Sequence, residues 1–135
     1  MAEDLVSWND SYSVGYEIID NQHKHLIEIT NELFLGCKKG KTAADVAFLK
    51  AVRQAVEYAK IHFRTEENVM QQIGYPGFHE HKGEHEVYLT EILHDLREFE
   101  KGKVSPFELA RFLKAWILKH IAETDKKIAP YLVKI

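Results

Sequence analysis

The chain has 135 residues, 45% of them hydrophobic and 29% charged, and a formal net charge of −3. Such a composition fits one soluble domain with a single core, and the interspersed charges leave no basic stripe for nucleic acid. No apolar run approaches the roughly 18 residues of a membrane span. The opening Met1-Ala2-Glu3-Asp4-Leu5-Val6-Ser7-Trp8 lacks the basic and apolar segments of a signal peptide, so the expected location is cytoplasmic.

Residues 1–18 read as an arm carrying Trp8, Tyr12 and Tyr16, laid across the rest of the molecule, with Gly15 allowing a bend. Asp20 is the expected N-cap of a first helix. Its stripe of Ile19, Leu26, Thr30, Leu33 and Cys37 advances by alternating threes and fours, and His23 fills the one gap. After a turn from Gly36 to Lys41, Thr42 and Asp45 resemble a capping box for a second helix. That helix carries the seam Leu49, Val52, Val56, Ala59, Phe63, Glu66, Met70, Ile73, and Gly74 stops it. The third seam follows the turn Gly74 to Gly77 and runs His81, His85, Tyr88, Ile92, Leu96, Phe99. Beyond the turn Lys101 to Val104, Ser105-Pro106-Phe107-Glu108 gives the clearest helix start, with Ser at the N-cap, Pro first and Glu third. The fourth seam is Leu109, Leu113, Trp116, His120. Short connections between long helices predict an all-α, antiparallel up-down-up-down four-helix bundle over 19–135, with the arm completing a single domain 1–135. The lone Cys37 cannot form an internal disulfide and is expected as a half-buried apolar filler.

Polar residues in these seams carry the functional reading. Side chains four apart share one helix face, so His62 with Glu66 and His81 with His85 are two-toothed clamps. His23 lies about 15 residues before the first turn and His62 about 21 after it, while His85 and His120 each lie about 16 from the last turn; at about 1.5 Å per residue, all four helices present a ligand at one level. Buried without partners, these groups would cost several kcal/mol each, a large share of the roughly 5–15 kcal/mol that holds a domain together. Metal ions at the focus remove that conflict.

Asp125 is five residues after His120, which on a regular helix sets the two about 140° out of line. Both reach the focus only if the last helix widens or breaks there, and a π-type bulge does so. With Asp125 included, five imidazoles and two carboxylates converge: His23, His62, Glu66, His81, His85, His120 and Asp125. Nitrogen and oxygen ligands without thiolate suit iron, zinc, manganese or copper, and seven overfill one tetrahedral zinc. Two divalent ions bridged by both carboxylates and a hydroxide leave a residual charge of about +1, which a buried site tolerates. His25, His79 and His94 lie out of register and are expected to face solvent, and Glu67 is expected as an exposed or outer neighbour of Glu66.

The chain resembles the hemerythrins, in particular the single-domain bacteriohemerythrins. The resemblance rests on Asp20-Asn21-Gln22-His23-Lys24, His62-Phe63-Arg64-Thr65-Glu66-Glu67, Tyr75-Pro76 followed by His81 and His85, and His120-Ile121-Ala122-Glu123-Thr124-Asp125, with Trp8 and Gly15 also fitting. It covers nearly the whole chain, and no ligand position is missing. It implies that His81, His85 and His120 bind one iron and His23 and His62 the other, with Glu66, Asp125 and an oxo or hydroxo group as bridges. The two-histidine iron keeps an open position for dioxygen, which takes two electrons from the iron pair and the proton of the bridge, and release reverses this. Phe63, Trp116, Ile117 and Ile121 are expected around that position because they lie close to ligands in sequence, in a pocket short of acids. The implied function is a non-enzymatic oxygen carrier, store or delivery protein. An oxygen or redox sensor acting on a signalling or oxygen-consuming partner is the main alternative, and a di-iron oxidase or a peroxide- or nitric-oxide-processing protein is another. Ferritin-like oxidase sites need two Glu-x-x-His motifs, and this chain has one, Glu91 to His94.

Overall fold

The computed structural model describes residues 5–132, so the first four positions of the predicted arm and the last three of the bundle lie outside the described residues. The chain runs through a 3₁₀ turn, Asp10–Tyr12, and four long helices: α1 (Glu17–Cys37), α2 (Lys41–Gln72), α3 (Phe78–Glu100) and α4 (Pro106–Lys119). A π-helical turn, His120–Thr124, a 3₁₀ turn, Asp125–Lys127, and the short α5 (Ala129–Leu132) follow. The described residues contain no strand, and α1 to α4 form the predicted four-helix bundle, with α1 packed most extensively on α2.

The helix boundaries follow local chemistry, though some predicted caps are replaced. Gly74 sits at φ +64, a left-handed conformation that glycine adopts without strain, and it ends α2 as expected. Pro106 opens α4 behind Ser105, whose side chain makes no capping bond. Asp20 is not an N-cap. Helix α1 begins three residues earlier, and the Asp20 carboxylate reaches back to accept from Ser13 Oγ at 2.5 Å and Val14 N at 2.9 Å. The expected capping box of Thr42 and Asp45 is also absent, because α2 starts at Lys41 behind Gly40, and Asp45 pairs with Lys41 one turn away.

The predicted seam residues are buried or, at Val56, Ile73, Leu96, Phe99 and Trp116, half-buried, with one exception. Leu49 is 52% exposed, and its neighbour Phe48 takes the core position instead, stacked on Phe99 at 4.0 Å. Each of these side chains contributes roughly 1.5–3 kcal/mol when fully buried. One apolar cluster, from Leu26, Leu33, Phe48, Phe63, Ile92 and Leu113, fills the bundle towards the α1–α2 turn. A second, from Val14, Ile19, Met70, Ile128 and Leu132, closes the other end. Along α1, His23 falls between Ile19 of one cluster and Leu26 of the other, and along α2, Glu66 falls between Met70 and Phe63. The polar residues therefore form a layer sealed by hydrocarbon on both sides.

The arm packs against the bundle as predicted. Val6 is buried with Ile27, Ile117 and Ile121, and its backbone N–H and C=O are both held by the side-chain amide of Asn31, at 2.9 and 2.8 Å. Trp8 and Tyr12 pack on the same cluster, and Lys126 Nζ donates to the Ser13 carbonyl at 2.8 Å. Cys37 is fully rather than half buried, and burial raises its thiol pKa. None of the helices among the described residues is long and apolar enough to cross a membrane.

Candidate metal centre

The four bundle helices deliver the seven predicted residues to one layer. His23 comes from α1, His62 and Glu66 from α2, His81 and His85 from α3, and His120 and Asp125 from the segment after α4. None is more than 2% exposed. They form two adjoining groups, Glu66 with His81, His85 and His120, and His23 and His62 with Glu66 and Asp125. Both carboxylates face both groups. Glu66 Oε1 lies 3.0 Å from His62 Nε2 and 3.2 Å from His85 Nε2. Asp125 turns Oδ2 to His23 Nε2 at 2.6 Å and Oδ1 to His81 and His120 Nε2 at 2.9 and 3.0 Å.

Asp125 arrives there through the distortion its spacing demanded. The backbone widens into a π turn over His120–Thr124, and the Asp125 N–H donates to the carbonyl of His120, five residues back. The extra residue in that turn restores the alignment that a regular helix would lose.

The donor set fits bound cations. The short separations of Asp125 from His23, His81 and His120, and of Glu66 from His62, lie in hydrogen-bonding range but lack hydrogen-bonding directions. Consequently His23 Nε2, His62 Nε2, His81 Nε2, Glu66 Oε2 and both Asp125 oxygens are buried without a hydrogen-bond partner. Buried polar atoms are rarely left so. Their lone pairs converge beside one another, the arrangement that two cations sharing carboxylate bridges would satisfy.

A set of outer contacts orients the imidazoles, and the sequence reading found little of it. Thr65 donates its hydroxyl to the Ile61 carbonyl at 3.0 Å, so it accepts from Gln22 Nε2 at 3.1 Å. The Gln22 amide is thereby turned with its oxygen 2.8 Å from His62 Nδ1, which must carry the proton. Nε2 of His62 is then left as a bare lone pair facing the centre. Glu67 does the same for His85, accepting from Nδ1 at 3.0 Å, and Glu84 lies 3.4 Å from His120 Nδ1. Glu67 was expected as an outer neighbour, but Gln22, Thr65 and Glu84 were not. Spacing along one helix signals none of the interhelical contacts; only Thr65, four residues after Ile61, has a partner that α-helical periodicity supplies. The expected shortage of acids near the site is corrected here, since two glutamates off the seams reach the far sides of imidazoles.

Aromatic rings pack on the same histidines. Phe63 stacks on His85 with centroids 3.8 Å apart and an interplanar angle of 6°, and Trp116 stacks on His120 at 4.2 Å and 15°. Phe63 also lies 5.8 Å from His62. Ile117 and Ile121 are buried beneath the arm with Val6 and Ile27. The four residues expected around the open position thus divide, two against the three-histidine group and two under the arm. His79 and His94 are exposed as expected, whereas His25 is half-buried against Tyr58, with centroids 4.0 Å apart.

The clustered carboxylates and imidazoles shift one another's pKa values. Burial would push the His81 imidazole down, but Asp125 and Glu66 outweigh it and hold the pKa up at about 9. His120 is likewise raised well above its ordinary value against the cost of burial, chiefly by Asp125. Burial would raise Glu66, yet His62 and its neighbours keep it well below the carboxylate range. Asp125 is held low too, with His120 and His23 overcoming burial and the Glu66 charge. Burial lowers His62. At neutral pH, then, protonated His81 and His120 face the Glu66 and Asp125 carboxylates.

Fold and site together define an all-α bundle with a buried histidine–carboxylate centre suited to cations. A model of the hemerythrin HHE cation binding domain matches residues 14–132, and the chain belongs to the hemerythrin family. It is 31% identical over 125 residues to a bacteriohemerythrin of Stenotrophomonas maltophilia (strain R551-3), covering 93% of this chain and 80% of that one. With the bacteriohemerythrin of Methylococcus capsulatus (strain Bath) it shares 30% identity, covering 95% and 97% of the two chains. The crystal structure of a wild-type hemerythrin superposes with a TM-score of 0.79 at 25% identity, covering 95% of this chain and 98% of that one.

Proposed function

We propose that this protein holds two iron ions and binds dioxygen reversibly, as a carrier, store or delivery protein and not as an enzyme. The observation that carries the reading is the placement of Glu66 and Asp125, each facing both histidine groups. Two irons held there would supply dioxygen with two electrons and recover them on release. On this reading His81, His85 and His120 would hold one ion and His23 and His62 the other, where dioxygen would bind.

The chain's own part is to hold, orient and seal. Gln22 and Glu67 fix the tautomers of His62 and His85, so that their Nε2 lone pairs face the ions. Phe63 and Trp116 hold the planes of His85 and His120 by stacking. Ile117 and Ile121 pack with Val6 and Ile27 in an apolar cluster beneath the arm. Val6, Ile117 and Ile121 themselves carry no proton to deliver to reduced oxygen, which favours its release as dioxygen.

Elemental analysis of protein expressed with iron and zinc both available should give about two irons per chain, because the ligand set overfills one coordination sphere. One zinc and no iron would overturn the reading. Anaerobic reduction followed by air should give a charge-transfer absorption band that disappears when oxygen is removed. Immediate irreversible bleaching would assign the centre to oxidase or sensor chemistry instead.

A further inference from the structure

The two histidine groups differ in what stands behind them. Behind the three-histidine group are two carboxylates, Glu67 at 3.0 Å from His85 Nδ1 and Glu84 at 3.4 Å from His120 Nδ1. Behind the two-histidine group is one neutral amide, Gln22 on His62; the Nδ1 atoms of His23, His81 and His120 have no hydrogen-bond partner, so Glu84 acts on His120 by charge alone. All four histidines are at most 2% exposed, whereas the two carboxylates are partly exposed, so water weakens the difference without removing it. A carboxylate behind an imidazole draws its Nδ1 proton outward and makes Nε2 a stronger donor to a metal, whereas an amide fixes the ring and adds little charge. The neutrality of Gln22 is built in, because Thr65, committed to the Ile61 carbonyl, admits only one orientation of the amide.

We infer that Glu67 and Glu84 are positioning residues that favour the higher oxidation state at the His81, His85 and His120 position and so lower the reduction potential of the centre, while Gln22 keeps the other position less electron-rich. The inference rests on the two-iron reading above. Both side chains lie partly at the surface, at 25% and 33% exposure, so they can be changed without opening the core.

The test compares the iron-loaded wild-type protein with Glu67→Gln, Glu84→Gln and Gln22→Glu. Glutamine keeps the shape and an acceptor oxygen but removes the charge, so each variant is loaded at saturating iron and its iron content is measured before its potential. The midpoint potential should rise in each Glu→Gln variant, by about 59 mV if the preference for the oxidised ion weakens tenfold. Gln22→Glu should move it the opposite way. A second readout needs no redox chemistry: in the zinc-loaded protein the Nδ1–H proton resonance of His85 should move upfield in Glu67→Gln. Unchanged potentials in variants that keep their iron, equal shifts in all three, or an unmoved His85 resonance would each overturn the inference. Failure of the two-iron reading is distinguishable, because it would appear in the iron content of the wild-type protein before any variant is made.

Discussion

Among single residues, Glu66 has the largest burden. It is fully buried and lies within reach of both histidine groups. Glu66→Gln removes a charge and one carboxylate oxygen and should cost at least tenfold in metal affinity, measured by competition with a chelator. His94→Gln, at an exposed position outside both groups, should leave affinity unchanged. Thr65→Val tests the orientation of His62. Without the hydroxyl, the Gln22 amide loses the contact that fixes it, and affinity should fall about tenfold although Thr65 touches no proposed ligand. Wild-type affinity in that variant would show that the relay does not set the His62 tautomer.

Among the elements, the π turn is the unusual one. The five-residue step from His120 to Asp125 made it legible in the sequence, because two residues needed at one place conflicted with helical geometry. Seam registers were legible for the same periodic reason, and the miss at Leu49 arose because α2 presents a broad face, with Phe48, Ala51, Val52 and Ala55 all buried. Caps were less legible: Asp20 has the chemistry of an N-cap, but its partners lie in the arm, whose path depends on tertiary packing. The outer acceptors Gln22 and Glu84 were hidden for a related reason, since they act between helices. Deleting Glu123, an exposed residue of the turn, leaves His120 and the aspartate four apart on what becomes a regular helix. That variant should keep its metal, because a spacing of four also shares one face. Inserting one alanine at the same place should abolish binding, and elemental analysis of the pair checks both outcomes.

For the molecule as a whole, the mutual pKa shifts within the site predict how loading depends on pH. His81, raised to about 9, and His120, also raised, contribute stability that is complete below about pH 6.5 and lost as pH rises through their folded values. Glu66 and Asp125, both lowered, contribute above about pH 4 and lose it in acid. Metal entry at pH 7 must displace the protons on His81 and His120, so about two should be released per loaded site, measured by titration in buffers of different ionisation enthalpy. For the same reason the gap in thermal midpoint between loaded and metal-free protein should widen from pH 6 to pH 9. A gap independent of pH would mean that these two imidazoles are neutral before metal enters.

The sealed polar layer also dictates when the centre can be made. Its ligands begin at His23 and end at Asp125, and the apolar layers enclosing them include Val14 from the arm and Leu132 from the last helix. During synthesis, the early helices emerge and begin to collapse while the last ligand has yet to be added. A cation must therefore enter a chain that already includes Asp125. It must either arrive before the hydrocarbon layers close over it or wait for them to part.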